Sequence, residues 1–356
     1  MAHDPTLRYT GYRPLRAPDG MPPSLLVVLD TEEEFDWSRD FDRANTGVES
    51  IQGVGPFQAT CDERGVRPTY VVTYPIATQA LSRDLLAQLQ ADGRAQVGAH
   101  QHPWVCPPYV EEVSAFHSYP GNLPADVERD KLEQLTAAIE GGFGVRPTIY
   151  KAGRYGFGPH TAAALGSQGY EIDLSACGPF DRSADGGPDD SKMAPTPFSF
   201  GAAGGAADGG GSPLVCFPTT GGFVGHLRGG LARAAFGLAK RPELAWSRLP
   251  GILARSGLVE RILLSPEGYE RDDLERLTRA LLARGERVFT LSLHTPSLVP
   301  GYTSYVRSAQ DLDAFLGRIR DYLDFFLGEL GGRATTPDAL RDELLAPPAT
   351  PSQATP

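Results

Sequence analysis

The chain is poor in the residues that staple or anchor a protein. Its 356 residues contain only four cysteines, Cys61, Cys106, Cys177 and Cys216, with no CxxC pair among them. Such spacing excludes a zinc ribbon and gives no disulfide framework, so these cysteines read as reduced thiols. No run of about 18 apolar residues occurs, so no segment is built to cross a bilayer as a helix. The opening stretch, MAHDPTLRYTGYRPLRAPDGMPPS, lacks the apolar centre of a secretory leader, and a cytoplasmic location is expected. Basic charge is also short, since 33 Lys and Arg stand against 44 Asp and Glu, for a net charge of −11. That balance argues against nucleic acid as a partner, which needs a basic stripe. Histidine is scarce, with seven in the chain, yet His100 and His102 stand two residues apart in VGAHQHPW.

What is present is an ordinary globular composition, 41% hydrophobic and 22% charged. Short apolar, β-branched runs occur at LLVVLD (25–30), TYVVTY (69–74), AQVGAH (95–100), TIYKAG (148–153), YEIDLS (170–175), LVCFPT (214–219) and VFTLSLH (288–294). Amphipathic segments at 79–93, 126–140 and 271–285 lie between them. Strands alternating with helices of this length predict an α/β protein with a parallel sheet, and seven strands fit a closed or nearly closed barrel. Residues 1–23 read as an irregular arm and 24–330 as a single barrel. Within it, the Gly-, Ala-, Asp- and Pro-rich tract 181–212 reads as a surface insertion. Residues 223–263 look helical, 309–330 form a long amphipathic helix, and 331–356 is expected to be a largely disordered tail.

In a parallel βα barrel the active site lies at the C-terminal ends of the strands. The first candidate strand ends on Asp30 and Glu32, the third on His100 and His102, and the seventh on His294. The fourth carries Lys151, followed by Arg154, and the fifth contains Asp173, whereas the strand starts are Leu, Thr, Ala, Thr, Tyr, Leu and Val. On a strand, residues two apart point the same way, so both imidazoles can reach one ion. Two imidazoles and a carboxylate make a three-ligand set with open positions, and a second, unbound carboxylate suits a general base for water. Asp30, inside the strand end, suits the base and Glu32, with longer reach, the ligand; the reverse division stays open. Glu33 and Glu34 read as solvated or structural. His294 is either a satisfied core histidine or an acid facing the metal. Asp173 caps a turn, fixes the tautomer of His294 or binds a substrate hydroxyl. Lys151 and Arg154 balance charge near Asp30 or face solvent, and His117, His160 and His226 are background.

With these residues assembled, the chain resembles the polysaccharide deacetylases of the NodB-homology type, carbohydrate esterase family four and its divergent relatives, and most of all their WalW-like branch. The motifs are DTEEEFDW, GAHQHPW, YKAGRYG, LSPEG and LHTPSLVPGYTSY, in that order. The resemblance implies a distorted (β/α)7 barrel, one divalent metal, commonly zinc, and hydrolysis of a non-peptide C–N bond, typically the acetamide of a sugar. It matches Asp30 to the base, Glu32, His100 and His102 to the metal ligands, and His294 to the acid. Lys151 stands where the family usually has an arginine that pairs with the base. The chain departs from better-known members in the Thr31 that separates its acidic pair and in its H-x-H spacing.

Other readings predict different residues. An iron oxidase of the two-histidine, one-carboxylate kind has H-x-[DE]…H order on an antiparallel barrel. A binding barrel without turnover lacks an acid or base, a glycosidase leaves the histidine pair unexplained, and an amidase on a small non-sugar amide keeps the same machinery. A saccharide or other small amide is therefore the expected partner.

Overall fold

The computed structural model describes residues 4–201, 213–227, 229–239 and 256–346, together with Leu249, Gly251 and Leu253. Twelve strands form among them: β1 (Arg13–Pro14), β2 (Ser24–Thr31), β3 (Thr69–Val72), β4 (Gln96–Gln101), β5 (Ile149–Ala152), β6 (Ile172–Asp173), β7 (Phe198–Phe200), β8 (Leu214–Cys216), β9 (Gly221–Val224), β10 (Glu260–Leu263), β11 (Val288–His294) and β12 (Arg333–Ala334). Seven of them run parallel in the order β11, β2, β3, β4, β5, β6, β8. Their apolar, β-branched runs are buried on both faces, as strands covered by helices require; all eight residues of β2 are buried. The gap between β8 and β11 is bridged by Thr220, whose N–H donates to the Thr290 carbonyl at 3.2 Å while its hydroxyl accepts from the Thr290 N–H at 2.8 Å. This is the distorted seven-stranded βα barrel.

Side-chain alternation sorts the sheet into two cores. Leu26, Val28, Val71, Ile149, Ile172, Val215 and Val288 meet in the barrel interior. Leu25, Val27, Leu29, Tyr150, Cys216 and Leu291 face outward into the larger core. Helices at Ala80–Ala91, Ala125–Phe143, Arg271–Leu282 and Ala309–Asp324 contribute Leu86, Leu135, Leu277 and Phe315 to that outer core. The last two open with capping boxes, Glu270 with Asp273 and Ser308 with Asp311.

Three segments depart from the sequence expectation. Residues 333–345, expected in a disordered tail, form β12 and the helix Pro337–Leu345. β12 pairs with Ser24 and Leu25, ahead of the point where β3 begins, and Leu340 joins the interior core with Leu344 and Leu345 against it. Spacing of four residues places Leu340 and Leu344 on one helix face, enough to seal the barrel floor. Residues 347–356 lie outside the described residues. Within 181–212, Phe198–Phe200 form β7, antiparallel to β8 and flanked by β1, and Phe198 and Phe200 close edge-on around Tyr9. The N-terminal arm is therefore docked, with Arg8 2.5 Å from Asp190. Residues 202–212 lie outside the described residues. The stretch 223–263, expected to be helical, is bounded by the antiparallel pair β9 and β10, with a helix at Gly229–Ala239 between them. No helix among the described residues is long and apolar enough to cross a membrane.

Candidate active site

The strand register decides which polar residues reach the barrel mouth. His294 pairs with Asp30 across β11 and β2, and His100 with Lys151 across β4 and β5. All four follow interior residues at two-residue spacing, so they continue the inward column as the barrel opens. The resulting cleft of about 430 Å³ is lined by Asp30, Glu32, His100, His102 and His294, with Trp37 and Tyr155 among its walls.

Glu32, His100 and His102 converge, with their ligand atoms all within 4.8 Å of one another. Glu32 Oε2 lies 3.8 Å from His100 Nε2 and 3.5 Å from His102 Nε2. Ligands at 2.0–2.1 Å from a tetrahedral ion are about 3.4 Å apart, so the set is close to bonding geometry. Each imidazole is oriented from behind. His100 Nδ1 donates to the Lys151 carbonyl at 3.1 Å, and His102 Nδ1 to Glu33 Oε1 at 2.8 Å. Both Nε2 atoms are thereby left with free lone pairs, as metal ligation requires. Glu32 Oε1 is buried without a hydrogen-bond partner, which fits a carboxylate awaiting a cation. Trp104 stacks on His102 at 4.2 Å between ring centroids. Gly153 leaves room for that ring, since a Cβ there would fall 2.6 Å from His102 Cδ2 and 2.5 Å from the Gln101 carbonyl oxygen.

Beside this set, Lys151 Nζ donates to Asp30 Oδ1 at 2.6 Å, Oδ2 at 2.8 Å and Ser292 Oγ at 3.0 Å. Burial works to raise the Asp30 pKa, but Lys151, His100 and His294 outweigh it and hold the carboxyl at about 2. His294 Nε2 faces Asp30 Oδ2 at 3.6 Å, and its Nδ1 donates to Glu267 Oε2 at 2.7 Å. Glu267 Oε1 is fixed by the His294 N–H and the Ser297 hydroxyl. Burial pulls His294 down, yet Glu267, Glu32 and Asp30 together push it up to about 10. An anionic carboxylate and a cationic imidazole therefore stand side by side at the metal-ligand set, the pairing that proton transfer in opposite senses needs.

Two residues stand apart from the catalytic roles considered for them, and Asp173 takes its turn-cap alternative. Asp173 does not reach His294 or the cleft. It pairs in register with Tyr150 and Cys216, both facing the outer core, and its Oδ1 accepts from the Ser175 N–H and hydroxyl. Strand alternation puts it on the opposite face from Ile172, and burial raises its pKa to about 6 despite Ser175. Arg154 leaves Asp30 to Lys151 and pairs with Asp185 at 2.5 Å and with Ser118 Oγ at 2.6 Å. Glu33, expected to be solvated or structural, is fully buried against His102. Glu34 holds the loop by accepting from the Ser50 N–H at 2.5 Å. Glu267, which orients His294, was missed because it follows β10, a strand at the end of the stretch 223–263 that reads as helical; its place in LSPEG was the available signal.

No known protein family and no curated protein matches the sequence. Solved structures do match. A candidate polysaccharide deacetylase from Mycobacterium smegmatis aligns over 94% of both chains at 17% identity, with a TM-score of 0.53. The allantoinase PuuE aligns over 92% of this chain and 91% of its own at 15% identity, with a TM-score of 0.51. At these identities the likeness defines the fold alone, a seven-stranded βα barrel shared with both.

Proposed function

We propose that this protein is a metal-dependent hydrolase of non-peptide C–N bonds that removes the acetyl group from an N-acetylated sugar or polysaccharide. The observation that carries the reading is the convergence of Glu32, His100 and His102 beside an Asp30–His294 pair. Glu32, His100 and His102 would hold a divalent ion, zinc by the nature of the donors, and when bound it would supply Lewis acidity toward a carbonyl and a water. Asp30, kept anionic by Lys151, takes the proton from the attacking water. His294, cationic through Glu267, gives a proton to the departing amine, which is a poor leaving group until protonated. Trp37, with its ring 4.6 Å from that of His294, offers a surface on which a sugar ring can stack. The motif set supports a place near the WalW-like branch. Hydrolysis of a small non-sugar amide is the second reading, favoured by the structural likeness to an allantoinase.

The test is acetate release from an N-acetylated chitooligosaccharide by zinc-loaded protein. Asp30→Asn and His294→Ala should each lower turnover by roughly 10²–10⁴-fold. Hydrolysis of a small amide with no acetate released from any sugar would transfer the function to the second reading.

A further inference from the structure

Arg182 is a cation of the cleft that forms no ion pair among the described residues, with Asp190 acting on it only at longer range. It lines the same cavity as Asp30 and His294, in a loop whose backbone is closed on both sides. Its N–H donates to the Pro188 carbonyl at 3.1 Å and its carbonyl accepts from the Gly187 N–H at 3.0 Å. The guanidinium lies 4.1 Å from the centre of the Tyr155 ring, and the Lys151 ammonium, on Asp30, is 5.0 Å from that same ring. Nη1 is buried without a hydrogen-bond partner.

The neighbouring carboxylates are engaged elsewhere. Asp190 pairs with Arg8, Asp185 with Arg154, and Asp181 accepts from the N–H and hydroxyl of Ser183. Against burial, Cys177 beside Arg182 raises its pKa, but a thiol is a weak partner for a permanent cation. Arg261 adds a second cation 4.0 Å from the Phe180 ring, which Arg182 also approaches at 5.5 Å. Arginine stays charged at any pH a protein tolerates, and its planar fork matches a carboxylate with two parallel hydrogen bonds. A buried donor left unpaired costs roughly 1–3 kcal/mol, and an incoming acceptor relieves that cost.

We propose that Arg182 binds a carboxylate of the substrate, so that the acetylated sugar cleaved here is an acidic one. The inference rests on the deacetylase reading and narrows its substrate class. Lys151, and not Arg182, holds Asp30, so a carboxylate bound at Arg182 belongs to a substituent beside the scissile amide rather than to the reacting group. Arg182 is thus a specificity residue, and Asp30, His294 and the metal ligands do not depend on it.

Calorimetric titration of the zinc-loaded protein with a tetrasaccharide alternating N-acetylglucosamine and glucuronate, and with its methyl ester, tests the idea. The acid should bind at least about tenfold more tightly than the ester. Arg182→Gln should abolish that preference while leaving the affinity for the ester unchanged, and Arg182→Lys should retain part of it. Equal binding of acid and ester, or binding of neither, overturns the proposal, as does a preference that survives Arg182→Gln. Tighter binding of N-acetylglucosamine 6-phosphate than of the acid overturns the choice of carboxylate. Acetate release is read separately, from the acidic tetrasaccharide and from a neutral chitooligosaccharide. Release without an acid preference sinks this inference alone, and an acid preference without release sinks only the deacetylase reading.

Discussion

The ammonium of Lys151 straddles the carboxylate of Asp30 at 2.6 and 2.8 Å, and both side chains are sealed inside the barrel mouth. The pair joins β5 to β2 across the interior, from strands that are not neighbours in the sheet. Lys151→Met leaves a buried carboxylate without its counter-charge, a loss of about 3–5 kcal/mol. The sign follows from the depressed pKa of Asp30. Its stabilising contribution is present above the ordinary value of 3.8 and is lost as pH falls through about 2. In Lys151→Met the carboxyl rises instead, and the acid limb of the pH–rate profile should move up by about two pH units or more. Urea unfolding at neutral pH checks the first effect and the rate profile the second; an unmoved acid limb would remove Asp30 from the role of base.

Glu33 would act on a bound metal only through His102, whose Nδ1 it holds at 2.8 Å. Glu33→Gln should keep the metal stoichiometry but weaken affinity about 10–100-fold, whereas His102→Ala should abolish binding. Competition with a chelator of known affinity measures both. Equal affinity in wild type and Glu33→Gln would show that the carboxylate only fills space.

Glu267 is the main reason His294 stays protonated, with its carboxylate 2.7 Å from Nδ1. Because the His294 pKa is raised to about 10, the acid form persists through neutral pH and is lost only as pH passes that value. The alkaline limb of turnover should therefore lie near pH 10 in the wild type. In Glu267→Gln it should fall by at least about one unit, the direction burial alone dictates. A pH–rate profile with an unchanged alkaline limb in the variant would assign that limb to another group.

Glu128, away from the cleft, reports on stability. It is buried, accepts from the Thr161 hydroxyl, and leaves its Oε2 unpartnered. Burial raises its pKa from 4.5 to about 7, against the lowering by Thr161. The folded state therefore holds this proton more tightly than the unfolded chain, and stability declines as pH rises from 4.5 through about 7. The decline amounts to about 3 kcal/mol. Glu128→Gln should flatten that part of the curve, so that the variant gains on the wild type at pH 8; chemical unfolding at pH 5 and pH 8 measures it.

The legible parts of the sequence were those where one local rule decides. Alternation along LLVVLD and VFTLSLH announced two strands with polar ends, and H-x-H on a strand put His100 and His102 together. The same rule, applied with its phase, sends Asp173 outward; the phase was not visible because β6 is only two residues long in the register with β5 and β8. Glu33 lies past the end of β2, where alternation no longer governs direction. Glu267 reaches His294 because Leu264 is drawn into the seam, donating to the Thr220 carbonyl and accepting from the Ser292 N–H, a long-range event that strand alternation does not announce. The helix Pro337–Leu345 carried an apolar face that was outweighed by the Pro- and Ala-rich stretch after it.

The proposed mechanism depends on Glu32 as ligand and Asp30 as base. Metal content of purified Asp30→Asn and Glu32→Gln, measured against the wild type, tests it most directly. Asp30→Asn should retain stoichiometric zinc while losing turnover by roughly 10²–10⁴-fold, and Glu32→Gln should lose the metal. Loss of metal in Asp30→Asn with retention in Glu32→Gln would contradict the assignment and exchange the two roles.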